Sequence, residues 1–391
     1  MSESPRTKAV MKTTNTFANI RGILEKGVED GVFPGAVLLV GRDGGILFHE
    51  AAGYKSSKGI KNADLQLMEV GTVFDIAQLT GVVVTATLVM KLIEAGKLSL
   101  EDKVIRFLQT FGVHNKSSIT IGQLLSHTAG LPASIPFYED LLRENAGPRL
   151  GIVTSRGARD QVYGLIQRLA LKYEPGTRQM YSEIGLILLG QLIEMLTGLS
   201  LDKAFMKNVA QPLGLKSTSY VDLSMIKRRG IHPVTDLIAP TEDCSLRKRV
   251  MCGEVQDENA WAIGGIAGHA GLFASAGDLH KFASELIAAY RSNSTFLTRK
   301  VVARFWNGVE GVEGSWKYGW DSPCAENGLE HSGLSERAVG CCGFTGCSLW
   351  IEPDSGVDII LLTNRIHPTR ANRKIFSFRS ELHQAVLQTL G

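Results

Sequence analysis

Two groups of side chains in this sequence could carry out chemistry. Tyr181 and Glu183 lie two residues apart and offer a phenol and a carboxylate, which could act as acid and base without a covalent intermediate. Cys341 offers a thiol, and a thiolate is a good nucleophile. These residues leave both a non-covalent and a covalent mechanism open.

Three cysteines, Cys341, Cys342 and Cys347, lie close together near the end of the chain. Side chains alternate along a strand, so Cys341 and Cys347 would share one face and Cys342 would point to the other. Only one pair could converge, and the CxxC spacing of metal sites is missing. We therefore predict no metal site here, and no cofactor is implied.

A serine and a lysine three residues apart on a helix lie on one face, where the amine can take the hydroxyl proton. Two such pairs occur, Ser224 with Lys227 and Ser245 with Lys248. Both lie in polar stretches without a buried helix behind them. Chance produces such short matches readily, and neither pair is predicted to be catalytic.

Residues 74–81 read FDIAQLTG and run directly into an apolar stretch over 82–96. This segment resembles the nucleophile segment of the serine β-lactamase and penicillin-binding-protein-like family, in the branch of class C β-lactamases, D-alanyl-D-alanine carboxypeptidases and esterases. The family carries Ser-x-x-Lys at the start of this helix, and Gln78 and Gly81 stand at those two positions. An amide is neither a useful nucleophile nor a base, and glycine has no side chain. The resemblance implies the scaffold of a serine hydrolase without its nucleophile.

Two further segments extend the resemblance. Residues 181–183 read YSE and are similar to the family's Tyr-Ser-Asp/Asn element, which places Tyr181 at the position of the proton-shuttling tyrosine and Glu183 at that of a shorter residue. Since a shuttle without a nucleophile has nothing to serve, we expect Tyr181 to be a packed residue with a satisfied hydroxyl. Residues 339–350 read VGCCGFTGCSLW and resemble the third element, with Cys341 where the family has His or Lys.

The resemblance also implies which groups surround the cleft. Relatives often have His where Gln256 stands, and the backbone N–H groups of Gln78 and Phe344 are expected to form an oxyanion-hole frame. The lining of the cleft is expected to include Thr80, Gln256, Cys342, Gly343 and Phe344.

The predicted elements place these motifs in one fold. The apolar spacing predicts a helix over 16–31 and strands over 36–41 and 46–52 around the turn 42–45. It also predicts helices over 82–96, 184–197 and 376–390, and strands over 348–351 and 357–363. We expect an α/β protein of the α+β type, with an antiparallel sheet built from both termini, flanking helices and a mostly helical inserted region. Residues 1–15 would be an extension and 16–390 one domain, with its α/β region at about 16–75 and 315–390 and its helical region at about 76–314.

Composition narrows the function classes. The 391 residues carry a net charge of +3, too small and too dispersed to indicate nucleic-acid binding. No apolar run is long enough to span a bilayer, so no membrane partner is expected. The first residues lack the apolar core of a signal peptide, which predicts a cytoplasmic location.

We favour a β-lactamase-like protein that has lost serine hydrolase activity and keeps the cleft for a small-molecule or peptide-like ligand, or a surface for a protein partner. Two alternatives remain. One is an active esterase, amidase or β-lactamase that uses Cys341 or Thr80, and the other is a non-covalent acid–base enzyme that uses Tyr181 and Glu183. Fold alone cannot choose among them.

Overall fold

The structure, a computed structural model, describes residues 17–56, 65–144, 152–309 and 311–391. The predicted extension at 1–15 lies outside these residues. Strands and helices are numbered below in chain order within the described ranges.

The main element is a five-stranded antiparallel sheet. Its strands come from both ends of the chain, as predicted, and the fold class is confirmed. They are β1 (Gly35–Arg42), β2 (Gly45–Gly53), β8 (Val339–Cys342), β9 (Ser348–Glu352) and β10 (Val357–Thr363), and their order across the sheet is β2-β1-β10-β9-β8. The shorter strands are β3 (Phe74–Asp75), β4 (Ser219–Tyr220), β5 (Asp243–Cys244), β6 (Arg249–Val250) and β7 (Leu272–Ala274).

Helices cover both faces of the sheet, so the interior strand β1, which lies between β2 and β10, is apolar at nearly every position. Leu38 and Val40 pack into a core with the first and last helices, whereas Val37 and Leu39 pack into the larger core of the helical region. Alternate residues of a strand face opposite sides, which explains why an uninterrupted apolar run forms a strand here.

The helical region lies between β3 and β8 in sequence. The α-helices of the described residues are α1 (Ala18–Glu29), α2 (Thr87–Glu94), α3 (Ile121–Leu125), α4 (Phe137–Glu144), α5 (Arg156–Gln167), α6 (Glu183–Thr197), α7 (Leu201–Phe205), α8 (Leu223–Arg229), α9 (Glu258–Ala262), α10 (Ala276–Tyr290), α11 (Arg299–Asn307) and α12 (Ile375–Leu390).

The predicted helix over 82–96 differs from the observed one. Residues Gly81–Ala86 form a π-helical turn, and the α-helix α2 begins only at Thr87. All six residues of the π turn are buried. Wide turns of this kind are frequent at functional sites, and this one lies beside the cleft.

Helix α6 begins directly after two residues of the predicted site. The Ser182 hydroxyl accepts a hydrogen bond from the Gly185 N–H at 3.4 Å, which caps the helix, and Gly198 ends it with a φ of +67°. This cap fixes the backbone at residues 181–183.

Within the described ranges, no single helix is both long enough and apolar enough to cross a membrane. Two consecutive helical segments, Glu183–Thr197 and Leu201–Ala210, are together long and apolar enough to do so, but the chain bends by 70° between them.

Candidate functional site

The backbone turn that leads into residue 78 is strained and braced by a buried carboxylate. Ala77 has a φ of +48°, a left-handed conformation that residues other than glycine rarely adopt. The two carboxylate oxygens of Asp75 accept hydrogen bonds from the N–H of Ala77 at 3.0 Å and the N–H of Gln256 at 2.7 Å. Burial raises the pKa of Asp75 to about 6. Strain that the surroundings enforce in this way is typical of functional positions.

The side chain of Gln78 bonds to the opposite strand segment. Its Oε1 atom accepts a hydrogen bond from the Phe344 N–H at 2.6 Å. The sequence predicted this N–H as one donor of an oxyanion-hole frame. The donor is present, but a neutral amide of the chain itself already occupies it.

At Gly81, which stands where the family has its lysine, helix α6 packs closely against the backbone. A Cβ atom added to Gly81 would lie 3.0 Å from the Cδ1 atom of Leu186, and both residues are buried. A longer side chain at position 81 would therefore require Leu186 to move. Gln78 and Gly81, which replace the family's serine and lysine, are both uncharged, and each is in close contact with a neighbouring segment.

Tyr181 lies beside Gln78 in the lining of one cavity, but its hydroxyl oxygen is buried and has no hydrogen-bond partner within the described residues. The predicted satisfied hydroxyl is therefore not observed. The centroid of its ring lies 4.7 Å from the ring centroid of His127 and 5.1 Å from that of Trp316. Burial raises the pKa of Tyr181 well above its usual value and lowers the pKa of His127 to about 3. The phenol stays protonated beside a neutral imidazole, so this pair holds no ready base.

Glu183 points away from the cavity, although only one residue separates it from Tyr181. Its Oε1 atom accepts hydrogen bonds from the Ser134 hydroxyl and, at 3.0 Å, from the Asn259 side-chain amide. Burial raises the pKa of Glu183. The structure thus does not bring Tyr181 and Glu183 together as an acid–base pair on one ligand.

Glu183 instead belongs to a buried cluster that sequence reasoning missed. The possible ligand atoms of Glu183, Asp257 and His269 all lie within 4.8 Å of one another. His269 Nε2 lies 3.1 Å from Asp257 Oδ1, and this same oxygen caps helix α9 by accepting from the Ala260 N–H at 2.7 Å. Burial lowers the pKa of His269, but the two carboxylates outweigh it and the net shift is upward. The cluster thus pairs His269 with Asp257 and places the carboxylate of Glu183 beside them.

Two residues predicted to line the cleft lie behind it. Thr80 is fully buried, and its hydroxyl accepts a hydrogen bond from the Leu272 N–H at 3.2 Å. Gln256 is buried and donates to Glu242 at 3.0 Å, while Arg370 contacts both Glu242 and Glu258. Neither Thr80 nor Gln256 reaches the cavity formed by the described residues, because each is held in a separate hydrogen-bond network.

The cysteines divide as strand alternation predicts. Cys341 and Cys347 are buried, whereas Cys342 is partly exposed and lines the cavity together with Gly343 and Phe344. Burial raises the pKa of the Cys341 thiol well above its usual value and also raises that of Cys342. Thiols kept protonated in this way are poor nucleophiles at neutral pH.

The Ser-x-x-Lys pair at 224–227 is not joined. The Ser224 hydroxyl donates to Asp222, while the Lys227 amine donates to the Val153 carbonyl at 3.3 Å. No proton transfer between serine and lysine is set up there.

Gln78 and Tyr181 open onto a cavity of about 560 Å³, a size suited to a small organic ligand. Loops before β8, the end of β8, the end of β10 and the start of α12 enclose it. Its lining residues are Gln78, Gln179, Tyr181, Gly314, Ser315, Trp316, Asp321, Cys324, Glu326, Asn327, Cys342, Gly343, Phe344, Arg365, Ile375, Phe376 and Arg379.

Two cationic residues of this lining were not predicted. Arg365 follows β10 and Arg379 lies on α12, and both are buried. Single arginines outside any motif give no signal in one sequence, so only the folded chain brings them to the cavity. We call Gln78, Gly81 and Asp75 the Gln78 side of the site, and Arg365 and Arg379 the arginine side.

The two sides meet at one peptide unit. The Phe344 N–H donates to Gln78, while the Phe344 carbonyl accepts from the guanidinium of Arg365. A change at either side therefore acts on the same short segment after β8.

Comparison with known proteins identifies the family. A family profile described as Beta-lactamase matches residues 20–383. An N-acetylmuramyl-L-alanine amidase of Bacillus subtilis (strain 168) is 31% identical over 379 residues, which cover 91% of this chain and 82% of the relative. The chain belongs to the β-lactamase family.

Three further matches have lower sequence identity. A protein of Escherichia coli (strain K12), whose name gives a provisional D-alanyl-D-alanine carboxypeptidase activity, is 26% identical, with 92% of this chain and 85% of the relative covered. The solved structure of EstCE1, described as a hydrolase with promiscuous acyltransferase activity, has a TM-score of 0.72 at 22% identity and covers 96% of this chain and 99% of its own. The structure of an octameric penicillin-binding protein homologue from Pyrococcus abyssi has a TM-score of 0.70 at 20% identity and covers 95% of this chain and 76% of its own. These two structures share the fold.

Proposed function

We propose that this chain has lost the serine hydrolase activity of the β-lactamase family and binds a small-molecule or peptide-like ligand non-covalently in the Gln78 cavity. The main support is the hydrogen bond from the Phe344 N–H to Gln78 Oε1. An acyl-transfer reaction needs that donor for the developing oxyanion, and it needs a nucleophile at the residue that now supplies the acceptor.

The other groups near the site support the same proposal. Gly81 offers no amine, and Leu186 Cδ1 lies 3.0 Å from the place where a Cβ atom at position 81 would stand. The thiols of Cys341 and Cys342 have raised pKa values, and Thr80 is tied to Leu272. Burial also raises the pKa of Cys324, another thiol of the lining, to about 11, so the thiols of the described residues support a cavity without an activated nucleophile.

The family supplies the expected kind of ligand. Relatives are named as an amidase and as a carboxypeptidase, and both names refer to amide bonds. The cavity also has aromatic rings beside its polar groups, as sites for small organic ligands commonly do. A ligand with a peptide-like or short organic scaffold fits this lining.

The test is a labelled fluorophosphonate and a labelled penicillin, each followed by intact-mass measurement. We expect no adduct with the purified chain. A stoichiometric adduct would overturn the proposal, and peptide mapping would then name the nucleophile, with Cys341 and Thr80 as the first candidates. Hydrolysis of a p-nitrophenyl ester that Tyr181→Phe abolishes would instead favour the acid–base enzyme.

A gain-of-function variant completes the test. Gln78→Ser with Gly81→Lys restores the family's pair, and Leu186→Ala makes room for the amine. We expect the triple variant to form a slow fluorophosphonate adduct at residue 78, while Gln78→Ser with Leu186→Ala, which lacks the amine, serves as the matched control. A folded triple variant that stays unlabelled would show that the substitutions at Glu183, Gln256 or Cys341 also prevent acylation.

A further inference from the structure

Two surface segments of the chain expose large apolar side chains. Val234 is 66% exposed, and Ile231 and Leu67 are each 65% exposed, which makes them the three most exposed large apolar side chains of the described residues. Leu237 follows at 56%. Single exposed apolar residues are ordinary, whereas a contiguous group of them marks an interaction site. Their meaning therefore depends on whether the four lie together.

Hydrogen bonds join the two segments into one region of the surface. The Lys55 N–H donates to the Gln66 carbonyl at 2.9 Å, while the Lys55 ammonium group donates to the Asp236 carbonyl at 2.5 Å. The Val73 N–H also donates to the Leu237 carbonyl at 2.9 Å. The exposed apolar side chains next to Gln66 and Asp236 therefore form one group.

The turn that carries most of this group is held in shape by its own backbone. The Leu237 N–H donates to the Val234 carbonyl at 3.4 Å, and the Ile238 N–H donates to the Thr235 carbonyl at 2.9 Å. The Cys252 thiol contacts the Ile238 carbonyl at 3.5 Å. A turn that is already formed loses little conformational entropy when its side chains bind a partner.

Basic side chains border the apolar group. Lys227, Arg228 and Arg229 end helix α8 two residues before Ile231, and all three are exposed. Arg228 Nε donates to the Ser224 carbonyl at 3.1 Å. Neither Arg228 nor Arg229 forms an ion pair with a described residue, so their charges are open to a partner.

Carboxylates are fewer than cations in this region. Asp236 and Glu69 are exposed in the same two segments, whereas Lys55 adds a fourth cation to the three of helix α8. Asp222 lies at the start of α8, where one of its oxygens accepts from the backbone N–H groups of the first turn. Positive charge therefore exceeds negative charge beside the apolar side chains.

We propose that this surface docks the chain peripherally on an anionic phospholipid membrane. The apolar side chains would enter the boundary between head groups and acyl chains, while the arginines contact lipid phosphates. Charge complementarity favours this partner, and apolar side chains that project from a turn suit a fluid interface. We call these residues the Val234 surface: Leu67, Ile231, Val234, Leu237, Arg228 and Arg229.

The Val234 surface requires no membrane-spanning segment. The sequence predicted no membrane partner because no apolar run is long enough to cross a bilayer, whereas a peripheral contact needs only exposed side chains on a folded chain. None of the six residues lines the Gln78 cavity. This inference is therefore independent of the proposed function.

The experiment is sedimentation of the full chain with two kinds of large vesicle. One kind is made of equal parts of phosphatidylcholine and phosphatidylserine, and the other of phosphatidylcholine alone. We expect binding to the anionic vesicles to be at least about tenfold tighter, because each basic side chain at such a surface contributes about fivefold. Raising the ionic strength from about 0.1 M to about 1 M shortens the screening length from about 10 Å to about 3 Å and should remove most of that preference.

The apolar contribution is tested by Ile231→Ser with Val234→Ser. This double variant should weaken binding to the anionic vesicles about tenfold, because two side chains no longer transfer apolar surface out of water. Val113→Ser with Met195→Ser is the matched control, since these side chains are 46% and 52% exposed but lie in other segments. It should change binding less than about twofold.

The charge contribution is tested by Arg228→Gln with Arg229→Gln. This double variant should also weaken binding to the anionic vesicles at least about tenfold, and it should leave the weaker binding to phosphatidylcholine nearly unchanged. Arg299→Gln with Lys300→Gln removes two neighbouring exposed cations of helix α11 and is the matched control. Circular dichroism during heating confirms that each variant is folded.

No binding to vesicles, equal binding to both kinds, or binding that survives both test variants in folded protein would overturn this inference. Retention on immobilised poly-L-glutamate without vesicle binding would also overturn it and would assign the surface to an acidic protein partner. The covalent probes report separately on the Gln78 cavity, because vesicle binding does not depend on that site.

Discussion

The Gln78 side and the arginine side of the cavity both bury an ionisable group without an ion pair to a described residue, but they respond to burial differently. Asp75, beneath the Gln78 side, can take up a proton, and its pKa rises to about 6. Arg365, on the arginine side, has a pKa lowered only to about 10 and therefore keeps its charge at neutral pH. A carboxyl group can relieve its burial by becoming neutral, whereas a guanidinium cannot.

The two sides also differ in the groups that they present to the cavity. On the Gln78 side, the amide oxygen of Gln78 accepts from the Phe344 N–H and Leu186 lies against the Cβ position of Gly81, so neither a charged group nor the family's amine is present there. On the arginine side, Arg365 and Arg379 line the cavity, and neither forms an ion pair with a described residue. The proposed non-covalent function agrees with this contrast, because the charged side chains lie away from the position of the family's nucleophile.

The largest expected effect on stability comes from placing a lysine at position 81. Gly81→Lys should lower the free energy of unfolding by about 3–5 kcal/mol, because it buries a charge without a partner and displaces Leu186. Urea denaturation followed by circular dichroism measures this loss.

Gly81→Ala is the control for that variant. Alanine favours a helix by about 1 kcal/mol over glycine, and its Cβ requires only a small shift of one leucine methyl group, so the net change should be small. If Gly81→Lys is as stable as Gly81→Ala, a pocket for the amine still exists, and the Gln78 side is not closed.

A second, smaller effect tests the protonation of Asp75. Its pKa is raised from 3.8 in the unfolded reference to about 6, so the folded state binds more protons than the unfolded state between these values. The contribution of Asp75 to stability therefore falls as pH rises, by on the order of 1 kcal/mol between about pH 5 and about pH 7. We expect the difference in unfolding free energy between these two pH values to shrink by that amount in Asp75→Asn.

Glu336→Gln, a change at an exposed carboxylate, is the control for that pH series and should keep the wild-type difference. An Asp75→Asn variant with an unchanged pH dependence would show that Asp75 is ionised in the folded chain. Both sides of the cavity would then carry charge, and the contrast between them would fail.

The sequence predicts the frame of this molecule better than its site. The hairpin of β1 and β2, the strands β9 and β10 and the last helix follow from apolar patterns and turn residues, and the structure agrees within one or two residues. The π turn at Gly81–Ala86 was missed, because a segment that is apolar on every side has no periodicity to separate a wide turn from an α-helix.

Side-chain directions account for most of the differences at the site. Motif order identified Gln78, Tyr181 and Phe344, which do line one cavity. It also placed Glu183 in the cleft, but the direction of Glu183 depends on Ser134 and Asn259, which come from distant segments. Contacts of this kind depend on tertiary packing and leave no local pattern.

The smallest expected effect concerns Tyr181, which lies next to Gln78 and would be the acid in a non-covalent mechanism. Its hydroxyl is buried without a partner within the described residues, so Tyr181→Phe removes a polar group that stabilises nothing. We expect the unfolding free energy not to fall, and to rise by up to about 1 kcal/mol, because an unbonded hydroxyl no longer has to be buried. Tyr173→Phe is the matched comparison, because the Tyr173 hydroxyl donates to the His127 carbonyl at 3.1 Å and its loss should cost about 1 kcal/mol. If urea denaturation gives the same loss for both variants, the Tyr181 hydroxyl has a partner in solution, such as a water molecule in the cavity. A phenol bonded in that way could still exchange a proton with a ligand, and the Gln78 side would then retain part of its chemistry.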